Sequence, residues 1–444
     1  MVVRGNENRR VDCTHLPSLE RELRRPGEAR CTVELFEQQP GHCRSTKDRR
    51  GESCLRPVHC ILTLPDVNET IPTPVPTVFV LYRHSQLRQD ALAAPVGAGA
   101  RYSLYGLDEL TAAGFPVGHS LEPGVRAGAS ARVAGAFLDR AVRASGGYSG
   151  DFASVLACRR RLNDADVVFS TVDTVGIPLA LVARRGLVRT PIVYAAIGLP
   201  ERLAQLRTKR ARRMFLDAYR RLHTIVAYGW GEVDALREWL GDGGPQVLFV
   251  PFGVDTAYFA PRAGTTTDTD IVSIGADPRR DHELYLALAR AHPEWSFRLV
   301  LTKGAARSLG AVPANISVEA DLPFDVVRDR LASARVVVLP VRENSYSGAT
   351  TVLLQAMATG KPVVVSRTAA IATGYQLEDG VNCRLVSPGS LDELDAAVRE
   401  LLADESQAAA VGARARETVE RSLSWSQYVS TLAGLLSAAS RVSA

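Results

Sequence analysis

One stretch of the chain combines a hydroxyl-rich turn, a short helix and an apolar strand in a way that suits chemistry. It covers residues 347–366 and reads Ser-Gly-Ala-Thr-Thr-Val-Leu-Leu-Gln-Ala-Met-Ala-Thr-Gly-Lys-Pro-Val-Val-Val-Ser. Ser347, Thr350 and Thr351 are residue types that cap a helix start. Gly360 suits the left-handed position that ends a helix. A helix start presents free N–H groups and a positive dipole end, so the stretch predicts a seat for a phosphate.

Strand and helix signals alternate around this stretch, which favours parallel sheets covered by helices on both faces. Strands are predicted at 75–81, 165–170, 191–196, 224–228 and 247–250, then at 270–275, 296–301, 316–319, 335–339 and 362–365. Helices are predicted over 101–113, 203–222, 232–240 and 425–436. The loop at 261–269 separates the two series of strands, so the chain is expected to form two domains.

The first stretch resembles the donor-site segment of glycosyltransferase family 4, a family of retaining GT-B enzymes that use activated sugars. The resemblance lies in the Leu-Gln-Ala-Met-Ala run at 354–358 and the Gly-Lys-Pro-Val-Val run at 360–364. Gly253 and Asp255 belong to a Gly-Val-Asp segment similar to that family's interdomain hinge. The resemblance implies an α/β GT-B fold, in which two Rossmann-like domains with parallel sheets face each other across a cleft.

The same resemblance suggests domain boundaries and a reaction. Residues 73–255 would form the acceptor-side domain, 256–425 the donor-binding domain, and 426–444 a helix that crosses back to the first domain. The implied activity is metal-independent, retaining transfer of a hexose-type sugar from a nucleotide-sugar to a small-molecule, glycan or lipid-linked acceptor. No cofactor is expected, because the chain lacks an Asp-x-Asp pair after a strand that could bind a metal.

Several expected site residues depart from the family pattern. The family's two glutamates, with seven residues between them, fall on Ser347 and Gln355. Glu343, four residues before Ser347, is a carboxylate that could take the place of one of these glutamates. The family's first diphosphate arginine falls on Ala276, whereas Arg280 lies near the place of its lysine. The expected catalytic residues are Arg280 and Glu343, and the expected donor-binding residues are Gly275, Arg279, Arg280, Ser347, Gly348, Ala349, Thr350, Thr351 and Gln355.

The acceptor side is less defined by the sequence. Gly97 and Gly99 lie where relatives have a glycine-rich loop near the acceptor. Many relatives carry a histidine after a strand near the reacting carbon, but the matching run at 194–199 has none, so no general base is assigned. Two other functions stay open, namely a non-hydrolysing nucleotide-sugar epimerase and a catalytically lapsed nucleotide-binding partner of an active transferase.

The composition of the chain limits its possible partners and its expected location. The 444 residues carry a formal net charge of +5, which is too small to indicate nucleic-acid binding. Residues 1–72, with five of the seven cysteines, lack strand or helix periodicity and are expected to be a disordered extension or the product of a misassigned start. No apolar run spans a bilayer and no signal peptide is seen, so the expected location is the cytoplasm. The basic amphipathic segment 203–222 would allow peripheral contact with the inner face of the membrane.

Overall fold

The computed structural model describes residues 75–441 except 126, 263, 276, 345, 347 and 372. The predicted extension at 1–72 and the site residue Ser347 therefore lie outside the described residues. The first half of the described chain is a six-stranded sheet with strands β1 (Val78–Leu81), β2 (Val117–His119), β3 (Val167–Ser170), β4 (Ile192–Ala196), β5 (Thr224–Ala227) and β6 (Gln246–Phe249). Their order is β2-β1-β3-β4-β5-β6, and all neighbouring pairs are parallel.

Helices connect these strands, as parallel pairing requires. They are α1 (Gln86–Ala93), α2 (Leu107–Ala112), α3 (Ala129–Ala144), α4 (Phe152–Asp164), α5 (Asp173–Arg184), α6 (Leu199–Ala204), α7 (Lys209–Tyr219) and α8 (Trp230–Leu240), with a 3-10 turn at Gly99–Leu104. The four central strands β1, β3, β4 and β5 are buried at every residue, which explains why their sequences are continuous apolar runs.

The second half repeats this plan with a different strand order. Its strands are β7 (Thr269–Ile274), β8 (Phe297–Leu301), β9 (Ile316–Ala320), β10 (Ala334–Leu339), β11 (Val363–Ser366) and β12 (Arg384–Val386). Their order is β12-β11-β10-β7-β8-β9, all parallel, which is the Rossmann order. The helices are α9 (His282–Ala291), α10 (Lys303–Arg307), α11 (Phe324–Ala332), α12 (Thr350–Ala358), α13 (Leu391–Ala403), α14 (Glu405–Ser422) and α15 (Trp425–Arg441).

All ten strands predicted from apolar runs are present within three residues of their expected bounds. The two that the sequence did not indicate, β2 and β12, have three residues each and lie at sheet edges, where a run is too short to show a pattern. Gly360 has φ 71 directly after α12, which confirms its predicted role in ending that helix.

Two predicted helices are broken in the structure. The helix expected over 101–113 is interrupted by Tyr105 and Gly106, which have φ values of 53 and 89. A Cβ on Gly106 would lie 3.0 Å from a methyl carbon of Val429, so the break is packed against α15. The helix expected over 203–222 is divided because Thr208 accepts a hydrogen bond from the Ala211 N–H and thereby starts α7.

The chain crosses between the two halves at two places that lie side by side. Val254 donates its N–H to the Leu423 carbonyl at 2.9 Å, and its own carbonyl accepts from the Trp425 N–H at 2.8 Å. A Cβ on Gly253 would lie 2.6 Å from the Ser424 carbonyl oxygen, so only glycine allows this close approach. After the second crossing, α15 contacts β3, β4 and α2 of the first half.

Candidate functional site

The loops that follow β7 and β10 meet where the strand order of the second sheet reverses. Arg280 forms an isolated antiparallel bridge with Val341, and the Arg342 N–H donates to the Arg279 carbonyl at 2.8 Å. Gly275 ends β7 with φ 124, and a Cβ there would lie 2.8 Å from Arg280 Nη2. In an open parallel sheet, a crevice outside the carboxyl ends of such strands is the usual place for a ligand.

Arg280 is the most unusual side chain in this crevice. It is 4% exposed, and its Nε and Nη1 atoms are buried without a hydrogen-bond partner among the described residues. Burial lowers the pKa of Arg280 to about 10, while the nearby Asp277 and Tyr346 act in the opposite direction. A buried guanidinium without partners is unfavourable, so the loop holds a cation that a bound anion would stabilise.

The start of α12 adds further unsatisfied donors. Its N-cap is Ala349 and no side chain caps it, so the hydroxyl cap predicted from the sequence is wrong for the two threonines, which lie inside the helix. Thr350 is 2% exposed and its Oγ1 has no partner among the described residues. The Gly348 N–H donates to the Tyr346 carbonyl at 2.9 Å, so the free amides are those of the first helical turn. Arg280 and this helix start are called the anion seat below.

Asp277 and Tyr346 border the anion seat, and neither residue was predicted from the sequence. The Tyr346 hydroxyl donates to Asp277 Oδ1 at 2.8 Å, and the Arg279 N–H donates to the same oxygen at 2.9 Å. Burial, and then the hydrogen bond to Asp277, raise the pKa of Tyr346, which keeps its phenol protonated as a donor. The available signal was the position of Asp277 two residues after the glycine that ends β7.

The first half of the chain closes over this crevice through three contacts. Arg279 Nη2 donates to Glu201 Oε2 at 2.8 Å. This residue, which is expected to bind the donor, therefore forms an ion pair with α6. The Tyr346 ring lies 3.5 Å from the position that a Cβ on Gly198 would occupy. Gln355, 4% exposed, is hydrogen-bonded to the side chain of Tyr102 in the 3-10 turn. Gln355, which is expected to bind the donor, therefore also links the two halves.

A buried network holds the loop of the first half that faces the crevice. Asp173 accepts hydrogen bonds from the Tyr194 hydroxyl at 2.5 Å and from Arg202 Nε at 2.8 Å. Glu232, which is fully buried, accepts one from the Gly198 N–H at 2.6 Å. Burial, and then the negative charge of Asp173, raise the pKa of Glu232 to about 8. This loop is the one in which the sequence offers no histidine.

The pKa of Glu232 predicts that stability depends on pH. Its ordinary value is 4.5, so the folded protein binds the proton more tightly than the unfolded chain does. The stabilisation that the protonated Glu232 carboxyl gives the folded protein is complete below pH 4.5 and is lost as the pH rises through about 8. Each tenfold difference in proton affinity between the folded and unfolded states corresponds to about 1.4 kcal/mol. Replacing Glu232 by glutamine should remove this loss, so the variant should exceed the native protein in free energy of unfolding at about pH 8.

Urea unfolding from about pH 5 to about pH 9 measures this difference. Glu238→Gln, an exposed change on the same helix, is the matched control and should keep the native pH profile. Parallel profiles for the native protein and the Glu232 variant would show that the carboxyl has an ordinary pKa.

The other predicted site residues have structural partners. Glu343 is exposed, and its Oε1 accepts from the N–H groups of Asn344 and Ala369 at 3.1 and 3.0 Å, so it ties together two loops. Asp255 accepts from the N–H groups of Ala257 and Tyr258 at 3.0 and 2.9 Å and thereby forms the turn after the crossing.

The two glycines predicted at the acceptor side lie in different surroundings. Gly97 is exposed, has φ 87 and has open space around it. A Cβ on Gly99 would meet the Tyr258 ring at 2.2 Å or more, so this residue packs the 3-10 turn against the second half. Tyr102 continues that contact by stacking on Phe324, with 4.8 Å between the ring centroids.

The basic helix α7 packs against α5 in the first half of the chain. Its apolar side chains Ala211, Phe215 and Ala218 are buried against the core, while its arginines are exposed. A groove of about 720 Å³ runs beside it, with an apolar lining and arginines at the border. On the neighbouring α3, Phe137 lines this groove and is 73% exposed, and Val133 is 72% exposed.

Neither a metal cluster nor a membrane-spanning helix is found in the described part of the chain. No group of three or more His, Cys, Asp or Glu side chains is arranged there to hold a metal ion. In the same residues, no helix has both the length and the apolar character that crossing a bilayer requires.

Comparison with known proteins shows what the chain is similar to. A family model described as glycosyl transferases group 1 matches residues 283–404. MMP alpha-(1->4)-mannosyltransferase of Mycolicibacterium hassiacum is 31% identical over 212 residues, which cover 45% of this chain and 50% of that protein. The chain therefore spans half the length of this curated relative.

Solved structures show the fold. Sucrose-phosphate synthase of Thermosynechococcus elongatus superposes with a TM-score of 0.61 at 18% identity, covering 81% of this chain and 98% of its own. HepE of Anabaena, solved in complex with UDP-glucose, superposes with a TM-score of 0.56 at 14% identity, covering 82% and 100%. The fold class is α/β of the GT-B type, as predicted from the sequence.

Proposed function

We propose that the chain is a glycosyltransferase that moves a sugar from a nucleotide-sugar to an acceptor, with retention of anomeric configuration and without a metal ion. The observation that carries this proposal is Arg280, whose buried guanidinium has two unpartnered nitrogens beside the uncapped start of α12. Both features supply positive charge and hydrogen-bond donors, which suit a diphosphate. The similarity to group 1 glycosyl transferases supports the reaction class.

In the proposed reaction, negative charge develops on the leaving diphosphate, which is bound in the anion seat. The acceptor oxygen bonds to the anomeric carbon, the bond from that carbon to the diphosphate breaks, and its electron pair goes to the leaving oxygen. Arg280 and the first N–H groups of α12 would stabilise that charge in a site from which water is excluded. The acceptor hydroxyl would transfer its proton to the leaving phosphate, so this step needs no protein base.

In this proposal, the donor binds to the second half and the acceptor to the first. The Arg279–Glu201 ion pair and the Gln355–Tyr102 hydrogen bond hold the two halves together over the crevice. Opening about the Gly253 crossing would admit the donor, and closing would exclude water. The acceptor is a small molecule, a glycan or a lipid-linked glycan.

Thermal unfolding with UDP, GDP, ADP, UDP-glucose and GDP-mannose, each with and without EDTA, tests the proposal. A ligand at about a hundredfold over its Kd should add about 2.7 kcal/mol to the free energy of unfolding, and EDTA should not change this. If none of the five raises the unfolding temperature, the anion seat does not bind a nucleotide. A shift that disappears with EDTA would contradict metal independence.

The same samples separate the two alternative functions. An epimerase would convert the sugar of UDP-glucose or GDP-mannose without an acceptor, which NMR of the sugar protons would detect. A lapsed binding partner would show the thermal shift but no hydrolysis or transfer with any acceptor in a screen of glycans and lipid-linked glycans.

We also propose peripheral contact with an anionic membrane face through α7 and the neighbouring α3. The exposed Phe137 and Val133 lie beside the arginine-bordered groove, which is the combination that an interfacial surface needs. The native protein should sediment with vesicles containing phosphatidylglycerol and not with phosphatidylcholine alone. Phe137→Asp should weaken this binding, whereas Leu87→Asp, an exposed change on α1, should not. Recovery of all native protein in the supernatant would refute the contact.

A further inference from the structure

A carboxylate stands at the edge of the anion seat, where a diphosphate would repel it. Asp277 Oδ1 accepts hydrogen bonds from the Tyr346 hydroxyl and the Arg279 N–H, whereas its Oδ2 accepts none from the described residues. A Cβ on Gly348 would lie 2.7 Å from Oδ1, so the carboxylate lies directly beside the turn that leads into α12. The absence of a side chain at Gly348 leaves the space that Asp277 occupies.

The electrostatics of this position restrict what Asp277 can do. No hydrogen bond joins it to the Nε or Nη1 atom of Arg280 among the described residues, although its charge favours the charged form of that arginine and so raises the pKa of Arg280. Two negative groups a few ångströms apart repel each other, so a carboxylate here is unfavourable if phosphate is the only ligand. A ligand that joins a phosphate to neutral hydroxyl groups removes the conflict, because hydroxyls donate hydrogen bonds that a carboxylate accepts.

We propose that Asp277, oriented by Tyr346, accepts hydrogen bonds from hydroxyl groups of the donor sugar and so determines which sugar is used. This inference rests on the proposed function, because it requires a sugar attached to the diphosphate in the anion seat. Tyr346 is a positioning residue here, because its hydroxyl fixes Oδ1 and leaves Oδ2 for the ligand. A donor whose sugar lacks a hydroxyl at this point should bind less tightly.

Calorimetric titration of the native protein and of Asp277→Asn tests the assignment. The probes are UDP with UDP-glucose and GDP with GDP-mannose, because each pair differs only by the sugar. The variant should lose about 10- to 100-fold in affinity for the nucleotide-sugar that the native protein prefers. Its affinity for the matching nucleoside diphosphate should stay the same or increase, since a repelling charge has been removed.

Two further measurements separate sugar recognition from support of the loop. Tyr346→Phe should lower nucleotide-sugar affinity by about three- to tenfold and leave nucleoside diphosphate affinity unchanged. Monodeoxy analogues of the preferred donor should bind the native protein more weakly, and for one of them this loss should disappear in Asp277→Asn. Equal losses for diphosphate and nucleotide-sugar in the variant would overturn the assignment, because Asp277 would then only support the loop.

Failure of the inference can be distinguished from failure of the proposed function. If the native protein binds UDP or GDP but gains nothing from the attached sugar, Asp277 does not contact a sugar and the anion seat remains valid. If the native protein binds none of the four probes and ADP also gives no thermal shift, both proposals are wrong.

Discussion

Replacing Arg280 by methionine is expected to remove most donor binding and yet to stabilise the unliganded protein. The guanidinium is 4% exposed with two unpartnered nitrogens, so the folded protein keeps a desolvated charge that the nearby Asp277 and Tyr346 offset only in part. An apolar side chain of similar length should raise the free energy of unfolding by roughly 1–3 kcal/mol. The same change removes charge-assisted contacts to the diphosphate, and kcat/KM should fall about 10²- to 10³-fold.

Arg342→Met is the matched control for this prediction. Arg342 belongs to the neighbouring loop, but its side chain is 53% exposed and its ion pair with Asp281 is 3.3 Å long. The control should change the free energy of unfolding by less than about 0.5 kcal/mol and leave activity unchanged. Urea unfolding and steady-state kinetics measure both quantities, and a destabilised Arg280 variant with native activity would contradict the role given to the arginine.

Replacing Gly253 by alanine is expected to cause the largest loss of stability among the substitutions considered. The added Cβ would lie 2.6 Å from the Ser424 carbonyl oxygen and 2.9 Å from Trp425 Cα. Both are backbone atoms of the second crossing, so neither can turn away as a flexible side chain would. Relieving the clash has to lengthen the Val254 hydrogen bonds and shift α15, and we expect a loss of roughly 2–4 kcal/mol.

Gly434→Ala, within α15 itself, provides the control. A Cβ at this position meets nothing within 4 Å, and alanine favours a helix by up to about 1 kcal/mol over glycine. The two variants should therefore change the midpoint of thermal unfolding in opposite directions. Equal midpoints would mean that the crossing tolerates a side chain and that the close approach at Gly253 is not required.

The strands could be predicted from the sequence because their causes are local. A buried parallel strand requires an apolar run, and such runs are visible in β7, β10 and β11 without knowledge of their neighbours. The break at Tyr105 and Gly106 was not predicted in this way, and the side chain packed against it, Val429, lies on a helix more than three hundred residues later.

The site shows the same division between local and distant causes. The start of α12 is recognisable from the sequence, although its hydroxyl caps were wrongly predicted, and Arg280 is recognisable through the family resemblance. The difference between Arg279 and Arg280 is not, since it depends on Glu201 pairing with the first and on burial of the second. Gln355 likewise looked like a ligand contact, and only the fold brings Tyr102 to it.

The position of α15 also affects the order in which the molecule can fold. Leu432 and Leu436 of this helix are buried, and the helix rests on β3 and β4, which lie more than two hundred residues earlier in the chain. During synthesis, the first sheet emerges from the ribosome long before the helix that covers it, so its apolar face stays exposed while the whole second half is translated. Such distant pairing slows folding, and the partly made chain is therefore the form most exposed to aggregation.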